Sequence, residues 1–171
     1  MALFQERGYD ETTTAEIAAR AGVTERTFFR HFLDKREALF DGEEAFRDAL
    51  AESVLSAPRD LGPMEALLWA FHSVLPVLEQ NRSFSEPRQK VIAETPALQE
   101  RVLTKTAGLI SALSAALHRR GVEESLAKLA SQVGMAVFSH AAKTWLDDPA
   151  AGAEAHLNRA YIKLQRLWPS I

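Results

Sequence analysis

Between Thr24 and Lys35 the chain gathers groups suited to one kind of chemistry: the hydroxyls of Thr24 and Thr27, the guanidinium groups of Arg26 and Arg30, the Glu25 carboxylate, and then His31 and Lys35. Guanidinium, hydroxyl and ammonium groups match phosphates and the acceptor edges of bases, and a carboxylate can accept from a cytosine amino group. That is recognition chemistry. Bond-making chemistry lacks its usual signatures, since the chain holds no HExxH, no Gly-rich phosphate loop and no GxSxG. His31, His72, His118, His140 and His156 have no partner four residues away at metal-ligand spacing. With no Cys, neither a disulfide nor a thiolate metal site is possible. No catalytic residue, metal or cofactor is expected, and the chain does not read as an enzyme.

The elements that must position these groups are two short helices and a tight turn. Thr13-Thr14-Ala15-Glu16 is a capping box, in which a Thr hydroxyl caps a helix start and the Glu three residues on reaches back. Ile17, Ala18 and Ala21 share one helical face, and Gly22 follows where a helix stop favours a left-handed residue. Thr24 can cap the second helix, whose Phe28 and Phe32 lie four apart and face back toward Ile17 and Ala21. Two helices joined by a short Gly-containing turn form a helix-turn-helix, the design that sets its second helix in a DNA major groove.

The same stretch resembles the TetR family of bacterial transcriptional regulators. The resemblance is carried by Phe4, Gly8-Tyr9, Thr12-Thr13, Ile17-Ala18, Ala21-Gly22-Val23-Thr24, Thr27-Phe28, His31-Phe32, Lys35 and Leu39. It implies phosphate contacts from Thr13, His31 and Lys35, and contacts to bases and adjoining phosphates from Thr24, Glu25, Arg26, Thr27 and Arg30. The family usually has Tyr where this chain has Phe29, so the resemblance implies one hydroxyl-to-phosphate contact fewer; Phe29 can still touch a thymine methyl.

The rest of the chain shows helical spacing throughout, with no strand-period segment and no repeat. The expected fold is all-α: a helix-turn-helix domain over residues 1–40 with a short first helix, a connecting helix and breaker-rich linker over 41–62, and a helical effector and dimerisation domain over 63–171. A helix from Lys35 to about Ser56 is expected to make the connection. Net charge is −3 overall, and residues 1–40 hold six Lys and Arg against seven Asp and Glu, so DNA binding must rest on local placement of positive charge. Family members usually carry a basic arm and a fuller first helix ahead of Phe4, which suggests that residues precede Met1. Residues 1–11 hold Glu6, Arg7, Asp10 and Glu11 in place of a signal peptide's apolar run, and no uncharged stretch is long enough to span a membrane. A cytoplasmic protein is expected.

The resemblance also implies an effector pocket among the middle helices, for which Trp69, Phe71, His72, Phe84, Arg88, Thr104, Phe138 and His140 are the expected lining and an apolar small molecule the expected ligand. Residues from Glu123 to Asp147 are apolar almost all the way round, so this helix should be buried on two sides, one of them by a second copy. Val133, Val137, Ala141, Leu157, Tyr161, Leu164 and Trp168 are the expected interface of a homodimer closed by a four-helix bundle. The function expected is a repressor that binds a palindromic double-stranded operator and releases it on binding effector. A second reading stands beside it: a helical ligand-binding or interaction module without DNA affinity, as the net acidic head and Phe29 suggest.

Overall fold

The computed structural model describes residues 1–167, which form nine α-helices and two short 3-10 turns, with no strand among the described residues. In chain order the helices are α1 (Ala2–Arg7), α2 (Thr14–Arg20), α3 (Glu25–His31), α4 (Glu43–Ser56), α5 (Pro63–Gln80), α6 (Arg82–Glu94), α7 (Pro96–Arg119), α8 (Glu124–Asp147) and α9 (Gly152–Gln165). None is long and apolar enough to cross a membrane. They group into two units. One joins Met1–Glu44 to Ser83–Leu103; the other joins Ala45–Arg82 to the chain from Thr104 onward.

In the first unit the capping box forms as the sequence dictates. Thr13 Oγ1 accepts from the Glu16 backbone N–H at 3.2 Å, and Glu16 Oε2 accepts from the Thr13 N–H at 3.0 Å. The Thr13 N–H and the Thr13 hydroxyl, which both donate to Oε2, hold the Glu16 carboxyl below its ordinary value, and an ion pair with Arg7 adds to them. Gly22, at φ 71°, makes the left-handed turn into α3. At the crossing of α2 and α3 it is Ala18 that is buried, while Ala21 caps the helix on the exposed side. Gly42 has φ 81° and ends the expected Lys35–Ser56 helix before it starts, leaving a 3-10 turn at Glu37–Leu39 and a helix from Glu43.

The core of this unit is Phe4, Tyr9, Leu39, Phe40, Val91 and Leu98, with Ile17, Ile92 and Val102 packed against it. Residues 83–103, which the sequence assigned to the effector domain, therefore fold with the head. A head of some 40 residues is too short to enclose a core unaided, and Val91 and Leu98 complete it. Two ion pairs fasten the same segment: Arg88 to Glu43 at 2.7 Å and Arg101 to Glu37 at 2.5 Å.

In the second unit Leu50, Val54, Leu67, Phe71, Leu113, Leu117 and Leu157 are fully buried, each contributing about 1.5–3 kcal/mol through removal from water. α8 packs mainly on α9 and α5. Its approach to α5 depends on Gly134, where a Cβ would lie 2.9 Å from Leu67 Cδ1. Arg120 closes the end of α4, donating to the carbonyls of Val54, Ala57 and Pro58 at 3.1, 2.6 and 2.7 Å. Glu123 caps α8 by accepting from the N–H groups of Ser125 and Leu126 at 2.9 Å each.

Candidate nucleic-acid interface

α3 is seven residues long and has two unlike faces. Phe28 is buried, and its ring centroid sits 5.2 Å from that of Phe32. Glu25, Arg26, Phe29, Arg30 and His31 are all exposed, with Phe29 at 50%. The spacing of four that puts Phe28 and Phe32 inward leaves Glu25 with Phe29, and Arg26 with Arg30, as adjoining outward pairs. The helix start is fixed by Thr24, whose hydroxyl accepts from the Thr27 N–H at 3.2 Å and shares a 3.0 Å bond with the Thr27 hydroxyl.

The expected contact residues thus fall into three sets. Arg26, Phe29, Arg30 and His31 stand outward; the Arg30 guanidinium makes a long 3.5 Å approach to His31 Nε2, and the Phe29 ring meets Phe28 edge-on at 5.5 Å between centroids. Thr13, Thr24 and Thr27 lie at the surface or near it, but their hydroxyls are engaged in caps. Glu25 accepts from the Thr14 hydroxyl at 2.5 Å, a bond from α2 to α3 between residues eleven apart that no local motif signals.

Lys35 differs from its expected phosphate role. Its ammonium donates to the carbonyls of Tyr9, Asp10 and Thr12 at 2.7, 3.1 and 3.0 Å, which uses all three N–H groups. It also lies 4.3 Å from the Tyr9 ring centroid, within cation–π range. The carbonyls belong to the turn that leads into α2. Thr12, itself buried, braces the same turn by donating to the Gly8 carbonyl at 2.7 Å. Burial pushes the Tyr9 hydroxyl above its ordinary value, and Asp34 adds to the shift.

The expected effector lining does not converge. Trp69 is 49% exposed, and Thr104 and His140 are exposed as well. Phe71 and Phe138 are core residues, stacked at 4.6 Å between centroids, and His72 is half-buried on the same helix as Phe71. Phe84 and Arg88 belong to the other unit. Arg88 is engaged there, donating to the Leu39 carbonyl at 2.6 Å, pairing with Glu43 and covering the Phe40 ring at 4.7 Å. A cavity lined by apolar residues, Leu75, Leu78, Phe138, Ala141, Trp145 and Leu157 among them, holds only about 10 Å³, roughly one water's minimum.

Much of the expected dimer surface is taken up within the unit itself. Val137, Ala141 and Leu157 are 6%, 4% and 0% exposed and belong to the unit's own core. Tyr161 and Leu164 pack against that core, Val133 is half-buried, and Trp168 lies outside the described residues. On α8 an apolar stripe stays open that shares only Val133 with the expected set: Leu126 at 49% and Leu129 at 57%, continued by half-buried Val133 and by Ala136; Ile162 of α9 is 47% exposed. Both sides of α8 are apolar, so the sequence alone could not say which turned inward.

Comparison with known proteins adds to this geometry. Residues 1–41 match the profile of "Bacterial regulatory proteins, tetR family", and residues 61–169 match that of the "MftR C-terminal domain". A curated relative, the HTH-type transcriptional regulator TcmR of Streptomyces glaucescens, is 37% identical over 73 residues, which are 43% of this chain and 32% of that protein's length. The aligned part is thus about a third of that relative. Among solved structures, FadR of Thermus thermophilus, described as a TetR family transcriptional repressor in complex with lauroyl-CoA, superposes with a TM-score of 0.63 at 20% identity, over 100% of this chain and 92% of that one. PfmR, a TetR family regulator also from Thermus thermophilus, gives 0.52 at 23% identity, over 95% and 92%. A regulator from Rhodococcus sp. Rha1 gives 0.54 at 24%, over 93% and 88%. At these identities the structures share the fold.

Proposed function

Since the chain belongs to the tetR family of bacterial regulatory proteins, we propose that it is a DNA-binding transcriptional repressor, acting as a homodimer on a palindromic operator and released by an apolar small molecule. The observation that carries the DNA-binding part is the outward face of α3. Arg26, Arg30 and His31 are exposed there without a carboxylate partner among the described residues, on a helix whose inner face is anchored by Phe28. Such a face can enter a major groove, and in a two-fold dimer the two copies must meet half-sites about 34–36 Å apart or a multiple of that. Arg26 is the candidate for base readout; Arg30 and His31 are the candidates for positioning on phosphates.

The exposed stripe Leu126, Leu129, Val133 and Ala136 of α8, with Ile162 of α9, supports pairing with a second copy. For the effector, FadR's complex with lauroyl-CoA offers a ligand whose acyl chain is apolar. The apolar cavity beside Trp145 would have to open to admit such a molecule, and an opened form that no longer fits the operator gives the differential affinity that release requires.

Titrating a palindromic duplex selected from a random library at several salt concentrations tests the proposal. The expected result is tight binding whose logarithm falls steeply with the logarithm of salt, by about 0.9 for each phosphate neutralised. Absence of binding at low salt would favour the helical interaction module without DNA affinity, for which the net acidic head speaks.

A further inference from the structure

We propose that Thr14 and Glu25 form one reading device that selects a cytosine in each half-site, an inference that rests on the DNA-binding role proposed above. Thr14 Oγ1 donates to Glu25 Oε1 at 2.5 Å, from the first turn of α2 to the first turn of α3. Thr14 is half-buried and Glu25 exposed, so the anchored group is the threonine and the group presented is the carboxylate. The second oxygen, Oε2, has no hydrogen-bond partner among the described residues, and neither Arg26 nor Arg30 forms an ion pair with Glu25. The exposed side chain therefore keeps a free acceptor oxygen.

A bare carboxylate beside a duplex is repelled by phosphates unless it meets a hydrogen-bond donor. On the major-groove edge cytosine offers its N4 amino group. The adenine amino group is flanked by the N7 acceptor, and guanine and thymine present acceptors where the carboxylate would need a donor. Cytosine is the partner that Glu25 accepts best. A free Glu side chain would lose rotamer freedom on docking, or turn toward Arg26 or Arg30 and neutralise itself. The Thr14 bond fixes one oxygen beforehand and leaves the other to read, which is preorganisation.

The test uses the full chain and a randomised duplex library, followed by fluorescence-anisotropy titration of the selected duplex and of its single-base-pair variants. The wild type is expected to prefer C·G at one position of each half-site by about tenfold over the alternatives. Glu25→Gln should flatten that preference or turn it toward adenine, which a glutamine amide reads with two bonds, and should leave the ranking at other positions unchanged. Thr14→Val should retain cytosine as the favoured base with a several-fold smaller preference, and Thr14→Ser should restore it. A motif with no position that responds to Glu25→Gln, or a Glu25→Gln variant that tightens on every duplex alike, overturns the inference while leaving DNA binding intact. A wild type that retains no duplex from the library overturns both together.

Discussion

The ammonium of Lys35 sits 4.3 Å from the centroid of the Tyr9 ring while bonding to the Tyr9 carbonyl at 2.7 Å, so one side chain holds both ends of the same residue. A basic residue just beyond the proposed DNA-reading helix is here a brace for the turn between α1 and α2. Lys35→Met is expected to destabilise the fold by about 2 kcal/mol, the range for hydrogen bonds to a charged group. Operator affinity should fall at every salt concentration, with the slope against salt unchanged. A slope reduced by about 0.9 would instead identify Lys35 as a phosphate contact.

Arg26 and His31 share α3 and should fail differently. Arg26→Ala is expected to cost about 1–3 kcal/mol on the best operator and to compress the ranking of operator variants. His31→Ala should weaken binding to all duplexes by a similar factor, since positioning contacts carry no sequence information. Anisotropy titrations over a panel of single-base-pair variants distinguish the two; an unchanged ranking for Arg26→Ala would remove it from base readout.

Phe29 is half exposed on the outward face, with room for a hydroxyl. Phe29→Tyr adds a donor where the family usually has one. Binding should tighten by about 1 kcal/mol on all duplexes, the net value of an ordinary hydrogen bond. Equal affinities for the two proteins would mean that the ring edge faces a base or solvent and not a phosphate.

The α8 stripe gives an assembly prediction. Leu129 is 57% exposed, so Leu129→Glu should leave the folded chain intact and separate the dimer, with operator affinity lost alongside. Leu157→Glu, at a fully buried site, should instead unfold the second unit. Light scattering with circular dichroism tells these outcomes apart, and a Leu129→Glu variant that stays dimeric would move the interface elsewhere.

Glu123 caps α8, and the N–H and hydroxyl groups of Ser125 with the N–H of Leu126 hold its carboxyl below the ordinary 4.5, at about 2. A group whose folded value is depressed stabilises the fold above its unfolded value and loses that contribution as pH falls toward the folded one. Thermal unfolding of the wild type and of Glu123→Ala should therefore differ most near neutral pH. The difference should shrink from about pH 4.5 downward and nearly close at pH 2. A difference in Tm independent of pH would mean that the cap does not act through the ionised carboxylate.

What could be read from the sequence divides by the reach of the interaction. Thr13 with Glu16, Thr24 with Thr27, and Gly22 act on neighbours within four residues, and each forms in the structure as its spacing requires. The helix-turn-helix is built of such local pieces and was legible for that reason. Lys35 and Arg88 were not. The partners of Lys35 are the backbone carbonyls of Tyr9, Asp10 and Thr12, and those of Arg88 are the Leu39 carbonyl and the Glu43 carboxylate, all far along the chain and outside any local spacing pattern. The pairing of Thr14 with Glu25 was hidden because each already had a local reading, as a first-turn residue of its own helix. For α8 the limit was symmetry. With apolar residues on both sides, periodicity announces burial and is silent on direction.

The head's core draws Val91 and Leu98 from a segment some fifty residues downstream of Phe40. Its heredity therefore differs from that of a bead on a string. Cutting after Glu44 yields a peptide whose core lacks Val91 and Leu98, and grafting residues 1–44 onto a foreign regulator transplants α3 without them. A working chimera would have to carry 83–103 along, so that the two separated stretches of one core come from the same parent.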